Sequence, residues 1–195
     1  MDDLLIIGNN VVLIQECISK LKVTFKIIDL GLLHYYLSIQ VYQYKNLTYL
    51  NQSKYISDIL QNFRMDECKL VQIPITPRIT LSLSYNSQLV DAIAYKQLIG
   101  SLLYLTISRL DIIFSMNLMA HLMQKLYVEH FNVFKQILRH VAGTTDLALK
   151  YDKFSSFFLL GFSYSNYGGD RDDRKSTSTY VSSIGLGAIS WISKK

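Results

Sequence analysis

Two adjacent carboxylates, Asp2 and Asp3, stand directly before the apolar residues 4–7. A carboxylate beside a buried strand is costly unless it is paired, solvated or bound to a metal. Carboxylate oxygens are ligands for Mg²⁺ at the phosphates of a nucleotide. Two-metal chemistry, however, needs carboxylates from separate elements around ions roughly 3.5–4 Å apart. Asp2 and Asp3 come from one turn, so they predict an incomplete metal site. The alternative is a polar N-terminal end that leads into a strand.

Basic residues form two further candidate clusters. Lys135 and Arg139 are four residues apart, which places them on one face of a predicted helix. Arg171, Arg174 and Lys175 lie in one predicted loop of mixed charge. Arg and Lys side chains suit backbone phosphate, so both clusters predict weak contact with nucleic acid that does not depend on sequence. The alternatives are an ordinary solvated helix face and a solvated hairpin loop with local ion pairs.

The bulk composition limits the class of protein. The chain has 195 residues, is 50% hydrophobic and 18% charged, and carries a net charge of +5. These values predict one or two small domains with a core, and they mildly favour an acidic partner. Cys17 and Cys68 form neither a disulfide framework nor a zinc motif, which indicates a reducing compartment. No apolar run reaches membrane-spanning length and the chain does not begin like a signal peptide, so we expect an intracellular location without membrane association.

Apolar periodicity and turn residues predict the elements that would carry these side chains. The order in the first half is a buried strand at 4–7, a helix at 11–25, a hairpin from 35–44 and 48–50, a helix at 54–63 and an irregular stretch at 68–86. In the second half the predicted helices are 92–107, 110–123 and 129–141, followed by strands at 148–151, 157–162, 178–183 and 188–192. Lys45-Asn46 predicts the hairpin turn, Ser53 a helix cap and Gly143 a helix end. Trp191 is predicted to belong to the core.

Eight segments share motifs, in order, with one family of proteins. They are residues 1–6 (MDDLLI), 30–39 (LGLLHYYLSI), 51–56 (NQSKYI), 95–106 (YKQLIGSLLYLT), 109–112 (RLDI), 137–144 (ILRHVAGT), 169–178 (GDRDDRKSTS) and 187–191 (GAISW). As a set they resemble copia-type retrotransposon Pol polyproteins, from the end of the Tyr-x-Asp-Asp box of the reverse transcriptase to the start of the RNase H region. The set covers nearly the whole chain, whereas no single segment would be specific.

The resemblance implies an α+β fold with three parts. Residues 1–50 would be the C-terminal remnant of a polymerase palm with a hairpin, residues 51–145 a helical thumb and connection region, and residues 146–195 the first strands of an incomplete RNase H-like mixed sheet. The family activity is RNA-directed DNA polymerisation with Mg²⁺, together with RNA cleavage. The implied partner is an RNA or DNA template–primer, and Asp2 and Asp3 would be the metal-binding residues of the box.

Departures from the family pattern predict loss of activity. In residues 161–168 (GFSYSNYG) the family reads GYSDADWAG, so Tyr164 stands at the position of an aspartate and Asn166 at that of a second acidic residue. Ser38 replaces a glycine, and the family's first palm carboxylate lies upstream of Asp2. We expect a truncated, decayed and catalytically inactive copy, with an upstream polymerase fragment as a further possible partner. The alternatives are a non-catalytic nucleic-acid-binding remnant and a protein-interaction fragment without a nucleic-acid role. Exposed strand edges would favour aggregation.

Overall fold

The computed structural model describes residues 3–77, 79, 81, 88, 92–123, 126–153, 157–170 and 174–195. The chain divides into two compact units, Met1–Leu33 and His34–Lys195. Helices and antiparallel sheets are both present, so the predicted α+β class is confirmed. Within the described part, no helix is both long enough and apolar enough to cross a membrane.

The first unit contains helix α1, Val11–Thr24. The helix begins where the Asn10 side chain accepts hydrogen bonds from the backbone N–H groups of Val12 and Leu13, which would otherwise lack partners. The predicted helix is therefore confirmed. The predicted buried strand at residues 4–7 is wrong: this segment forms no strand, and Leu4 is 65% exposed. The described residues of this unit hold no strand with which it could form a ladder.

The second unit begins with a four-stranded antiparallel sheet in the order β1-β2-β3-β4. Its strands are β1 (Tyr35–Tyr36), β2 (Ile39–Gln43), β3 (Leu47–Asn51) and β4 (Leu149–Asp152). The predicted hairpin at Lys45-Asn46 is confirmed as the β2–β3 connection. Strand β4 comes from the far end of the chain and pairs with β3 in the register Leu50 opposite Leu149. The division into domains at 1–50, 51–145 and 146–195 stays a prediction, and this sheet joins strands from the first and the last of them.

A helical core follows the hairpin. Its helices are α2 (Ser53–Asn62), α3 (Ala92–Leu105), α4 (Ile113–His121) and α5 (Val128–Ala142), and a 3-10 turn at Leu110–Ile112 precedes α4. Apolar residues at helical spacing face inward, and the ring of Tyr95 on α3 meets that of Phe134 on α5 edge to face, with centroids 4.5 Å apart. Each fully buried large side chain contributes roughly 1.5–3 kcal/mol. Ser53 is the first residue of α2 rather than its cap, and its hydroxyl donates to Gln40.

A three-stranded antiparallel sheet closes the chain, in the order β5-β6-β7. The strands are β5 (Leu159–Asn166), β6 (Thr177–Ile184) and β7 (Gly187–Lys194). The four predicted C-terminal strands are thus confirmed, but the predicted mixed sheet is wrong for the described strands. All pairs are antiparallel because short connections join β5 to β6 and β6 to β7. Gly187 lets β7 approach β4: a Cβ there would lie 2.4 Å from the Tyr151 ring.

Candidate functional site

The carboxylates predicted to bind metal lie in the first unit. Asp3 is exposed, in the segment that precedes α1, and Asp2 is outside the described residues. Among the residues that the structure describes, no three His, Cys, Asp or Glu side chains are grouped so that they could hold a metal ion. The role of Asp2 and Asp3 as metal ligands stays a prediction.

The first predicted basic cluster lies on α5. Lys135 and Arg139 are both half-buried on this helix. Phe134 and Ile137 lie on the side of the helix that packs in the core and are buried. The Lys135 ammonium group sits 4.9 Å from the centroid of the Phe131 ring, one helical turn earlier. Arg139 Nε is buried and makes no hydrogen bond to any described residue. The pair therefore shares one side of α5, as its spacing predicted.

The second predicted cluster lies in the connection between β5 and β6. Arg174 and Lys175 are exposed, while Arg171 is outside the described residues. The backbone N–H of Asp170 donates to the carbonyl of Lys175 at 3.2 Å and closes the connection. The Asp170 carboxylate also forms a 2.7 Å ion pair with Lys195. This ion pair links the connection to the residue that follows β7. Both the phosphate contact and the alternative of ion pairs within the loop stay predictions.

A buried polar network that the sequence did not indicate surrounds Arg109. Only 2% of the Arg109 side chain is exposed. Its guanidinium donates to both carboxylate oxygens of Asp111, from Nε at 2.8 Å and from Nη2 at 2.6 Å. It also donates from Nη1 to the carbonyl of Thr144 at 2.9 Å and from Nη2 to the Thr144 hydroxyl at 2.5 Å. Four of the five guanidinium N–H groups are thus used inside the protein, so Arg109 is not placed to bind an external phosphate.

His140 completes this network. Its Nε2 lies 2.8 Å from Asp111 Oδ2, and its carbonyl accepts a hydrogen bond from the Thr144 hydroxyl at 2.7 Å. Burial alone would raise the pKa of Asp111, but hydrogen bonds and charge from Arg109, and then from His140, outweigh it and lower that pKa. An ionised Asp111 is what a buried guanidinium requires. The network therefore ties the end of α5 to the turn that starts α4.

The network also joins two of the segments that share family motifs. Arg109 and Asp111 belong to residues 109–112, and His140 and Thr144 to residues 137–144. The close pair Arg109 and Asp111 was visible as a motif, but their partners lie 29 to 35 positions away. Sequence spacing carries no signal for such a contact. The arrangement positions α5, and through it the basic pair Lys135 and Arg139.

The positions that correspond to acidic residues in the family lie on β5. Tyr164 is 66% exposed and Asn166 is also exposed. Neither the phenol nor the amide supplies a carboxylate. A shallow apolar groove lies between the end of α3, the start of α4 and β7, and it is lined by Thr106, Ile107, Ile113, Ile189, Ser190, Trp191 and Ile192. These lining residues include no titratable side chain, so the groove offers no acid–base chemistry.

Comparison with known proteins places these segments in context. The family described as "Reverse transcriptase (RNA-dependent DNA polymerase)" matches residues 1–77. The chain is 35% identical, over its full length, to the "Retrovirus-related Pol polyprotein from transposon RE1" of Arabidopsis thaliana. It is 30% identical to the corresponding polyprotein from transposon TNT 1-94 of Nicotiana tabacum. It is also 32% identical to an uncharacterized mitochondrial protein of Arabidopsis thaliana. No solved structure matches.

The share of each relative that is covered differs widely. The chain spans 13% of the RE1 polyprotein and 15% of the TNT 1-94 polyprotein, but 81% of the mitochondrial protein. The similarity to the polyproteins therefore concerns one segment of a much longer chain. The similarity to the mitochondrial protein extends over most of both sequences.

Proposed function

Because this chain belongs to the reverse transcriptase family of copia-type retrotransposon Pol polyproteins, we propose that it contacts the template–primer of such an enzyme without catalysing its reactions. The observation that carries the proposal is the basic pair Lys135 and Arg139 on one side of α5. The helix on which the pair lies is held by the core and by the Arg109 network. The helix backbone that carries both side chains is therefore held in place.

Rigidity of this support favours phosphate binding. A cation that is already ordered loses less conformational entropy when it binds. The Lys135 side chain is ordered by the Phe131 ring. The Arg139 side chain is half-buried, and its Nε has no hydrogen-bond partner among the described residues. Because Nε is buried, an external phosphate would contact Arg139 through its terminal Nη groups rather than through Nε.

Binding of this kind is electrostatic and weak. With a net charge of +5 and few basic residues on one side of α5, the chain can neutralise only a few phosphates at once. We therefore expect a dissociation constant in the ordinary non-specific range of roughly 10⁻⁴–10⁻⁶ M. Base identity should have little effect, because contacts to phosphate carry no sequence information.

The same proposal extends to the parts of the chain. Residues 1–50 would correspond to the end of a polymerase palm, residues 51–145 to a thumb and connection, and residues 146–195 to the start of an RNase H-like sheet. The hairpin β2–β3, the helices α2–α5 and the meander β5–β7 support these assignments by order and type. Polymerisation and RNA cleavage, the activities of the family, are not expected. Asp2 and Asp3 are adjacent in the sequence, and Tyr164 is neutral where the family has an aspartate.

Titration of a labelled RNA–DNA duplex with the full chain at several salt concentrations tests the binding proposal. The logarithm of the association constant should fall linearly with the logarithm of the salt concentration, as counterions are released. Absence of binding at low salt would contradict the proposal and favour a protein-interaction fragment instead. Binding that does not depend on salt would contradict its electrostatic basis.

Activity assays test the catalytic part of the proposal. With Mg²⁺, RNA template, DNA primer and nucleotides, the chain should extend no primer above background. The single variant Tyr164→Asp should cleave no RNA in an RNA–DNA hybrid, because one carboxylate does not complete a two-metal site. Primer extension that is lost in Asp2→Asn would show that the N-terminal pair is active, and cleavage by Tyr164→Asp would show that β5 carries a working site.

A protein-interaction fragment is the second candidate function. The observation that favours it is the exposure of the apolar side chains of β5, among them Leu160 and Phe162. Scattered apolar residues on a surface are common, whereas a contiguous apolar strand is typical of a contact site. In that case binding to the duplex would be absent.

A further inference from the structure

Tyrosine side chains lie on one face of the four-stranded sheet. Strand β2 pairs with β3 so that Tyr42 is opposite Tyr49, and β3 pairs with β4 so that Tyr49 is opposite Lys150. Residues that are directly opposite in antiparallel strands point to the same side of the sheet. Val41, the neighbour of Tyr42 on β2, is buried, whereas Tyr42 is 42% exposed. Because side chains alternate along a strand, the row of Tyr42, Tyr49 and Lys150 lies on the outer face.

Tyr44 extends this row at the turn between β2 and β3. Its ring meets that of Tyr49 edge to face, with centroids 6.0 Å apart, and Tyr44 is 64% exposed. The Tyr42 hydroxyl accepts a hydrogen bond from the Gln40 side-chain amide at 2.9 Å. The three rings are thus ordered by contacts within the sheet while they remain accessible to solvent. We call Tyr42, Tyr44 and Tyr49 the tyrosine face.

A further tyrosine on this side is covered by a cation. Tyr35 on β1 is opposite Gln40, so it points to the same side as the tyrosine face. The Lys54 ammonium group lies 5.6 Å from the centroid of the Tyr35 ring. A cation in this position is attracted by the face of the ring and competes with other groups for it. Tyr35 is therefore not included in the tyrosine face.

The charge around the tyrosine face is positive. Lys150 belongs to the row on the outer face, and Lys45 directly follows Tyr44 in the chain; both lysines are exposed. No acidic residue occurs from 30 to 57. Asp152, which is half-buried, is the one acidic residue of β4. An acidic ligand therefore suits this surface better than a basic one.

Exposure of the tyrosine face does not depend on an unpaired strand. Strands β2 and β3 are the two inner strands of their sheet, and each is paired on both sides. The opposite face of the sheet is covered within the chain. There α2 contacts β2, and the Tyr151 hydroxyl of β4 donates to the carbonyl of Ala188 on β7 at 2.6 Å. The sheet is thus packed on one side, and its other side presents aromatic rings.

We propose that the tyrosine face binds single-stranded nucleic acid. Bases would stack on the rings of Tyr42, Tyr44 and Tyr49, and phosphates would contact Lys45 and Lys150. Exposed aromatic rings on an antiparallel sheet are a platform for the bases of a single strand, and every base has a π-face, so sequence preference should be small. A duplex fits less well, because the faces of its bases are already stacked on one another.

The tyrosine face is a different site from the basic pair on α5. Lys135 and Arg139 supply charge, and the nearby Phe131 ring already lies under the Lys135 ammonium group. Contact through α5 should therefore depend on phosphates alone, whereas contact through the tyrosine face should also depend on the presence of bases. An experiment that varies the bases at constant charge separates the two proposals.

Fluorescence anisotropy with a labelled oligodeoxythymidine of about ten nucleotides tests this inference. The comparison strand is an abasic oligomer of the same length, which has the same phosphates and no bases. The full chain should bind the oligodeoxythymidine at least about fivefold more tightly than the abasic strand. Equal affinities would overturn stacking and leave phosphate contact alone. Absence of binding to both strands at low salt would overturn the proposal and favour a protein as the occupant of the face.

Variants of Tyr42 test the ring itself. Tyr42→Ala should lose at least about fivefold in affinity for the oligodeoxythymidine, whereas Tyr42→Phe keeps the ring and should bind within about twofold of the wild type. Tyr180→Ala is the matched control and should bind like the wild type. Tyr180 also lies on a strand, is 44% exposed, and has its hydroxyl 3.2 Å from that of Ser190.

Three results would contradict the role of the Tyr42 ring. They are unchanged binding by Tyr42→Ala, equal losses in Tyr42→Ala and Tyr42→Phe, and equal losses in Tyr42→Ala and Tyr180→Ala. The abasic strand gives a further check, because Tyr42→Ala should leave its binding nearly unchanged. A loss of the same size for both strands would mean that the variant disturbs the fold or the phosphate contacts, which would overturn stacking on Tyr42.

Discussion

Trp191 on β7 donates its indole N–H to the carbonyl of Thr106, with a distance of 2.9 Å between Nε1 and O. Thr106 directly follows the last residue of α3, where helix carbonyls lack partners within the helix. A side chain of the C-terminal sheet thus satisfies a carbonyl at the end of a core helix. This bond joins segments that are 85 positions apart in the chain.

Replacement of Trp191 by Phe should loosen the contact between the C-terminal sheet and the helical core. The variant loses one hydrogen bond and some apolar area, so we expect the free energy of unfolding to fall by about 1–2 kcal/mol. Urea denaturation measures this change. Ile192→Val, at the next position on β7, is the control and should change stability less. If both variants are equally stable, the bond to Thr106 does not contribute.

Ser38 has a left-handed backbone conformation, so substitution of Ser38 by glycine should stabilise the fold. Leu37 and Ser38 form the two-residue turn between β1 and β2, with φ of 45° and 60°. A left-handed conformation costs an L-residue roughly 1–2 kcal/mol, and glycine avoids this cost. Glycine is also more flexible in the unfolded chain, which reduces the gain in stability by about 0.5–1 kcal/mol. Ser38→Gly should therefore raise the free energy of unfolding by up to about 1 kcal/mol.

Ser57→Gly is the matched control for this prediction. Ser57 is an exposed residue of α2, and glycine in a helix interior costs roughly 0.5–1 kcal/mol. The same substitution should thus have opposite signs at the two sites when thermal or urea unfolding is compared. A loss of stability in both variants would mean that the Ser38 turn is not strained.

Asp111 should make stability depend on pH in the acid range. Its pKa in the folded protein is lowered, because Arg109 and His140 outweigh the effect of burial. A carboxyl group of this kind contributes stability above its unfolded pKa of about 3.9, and the contribution is lost as pH falls through the lower folded pKa. The difference in free energy of unfolding between wild type and Asp111→Asn should therefore be largest near neutral pH and shrink below about pH 4. A constant difference across this range would contradict an ionised Asp111.

Local pattern was enough to predict most elements of the fold. Helix α5 and strands β6 and β7 follow from apolar spacing, and Lys45-Asn46 marks the hairpin turn. The error at residues 4–7 has a physical cause. A short apolar run predicts a buried strand only when a partner strand and a covering layer exist, and neither can be inferred from four residues.

The candidate site was less accessible to sequence reasoning. The spacing of Lys135 and Arg139 predicted their shared side of α5, but not the Phe131 ring beneath the lysine. The Arg109 network depends on the meeting of two distant segments, which no local pattern encodes. Trp191 was predicted to be core, and the structure places it partly buried with its N–H bonded to Thr106.

The matched lysine variants Lys135→Ala and Lys54→Ala test the central claim most directly. Both lysines lie over an aromatic ring, Lys135 at 4.9 Å from the Phe131 centroid and Lys54 at 5.6 Å from that of Tyr35, so each variant loses one charge and one similar contact. The measurement is the salt dependence of binding to an RNA–DNA duplex. We predict that Lys135→Ala lowers the salt slope by about one, whereas Lys54→Ala leaves it unchanged. Equal slopes for both variants and the wild type would contradict nucleic-acid contact through α5.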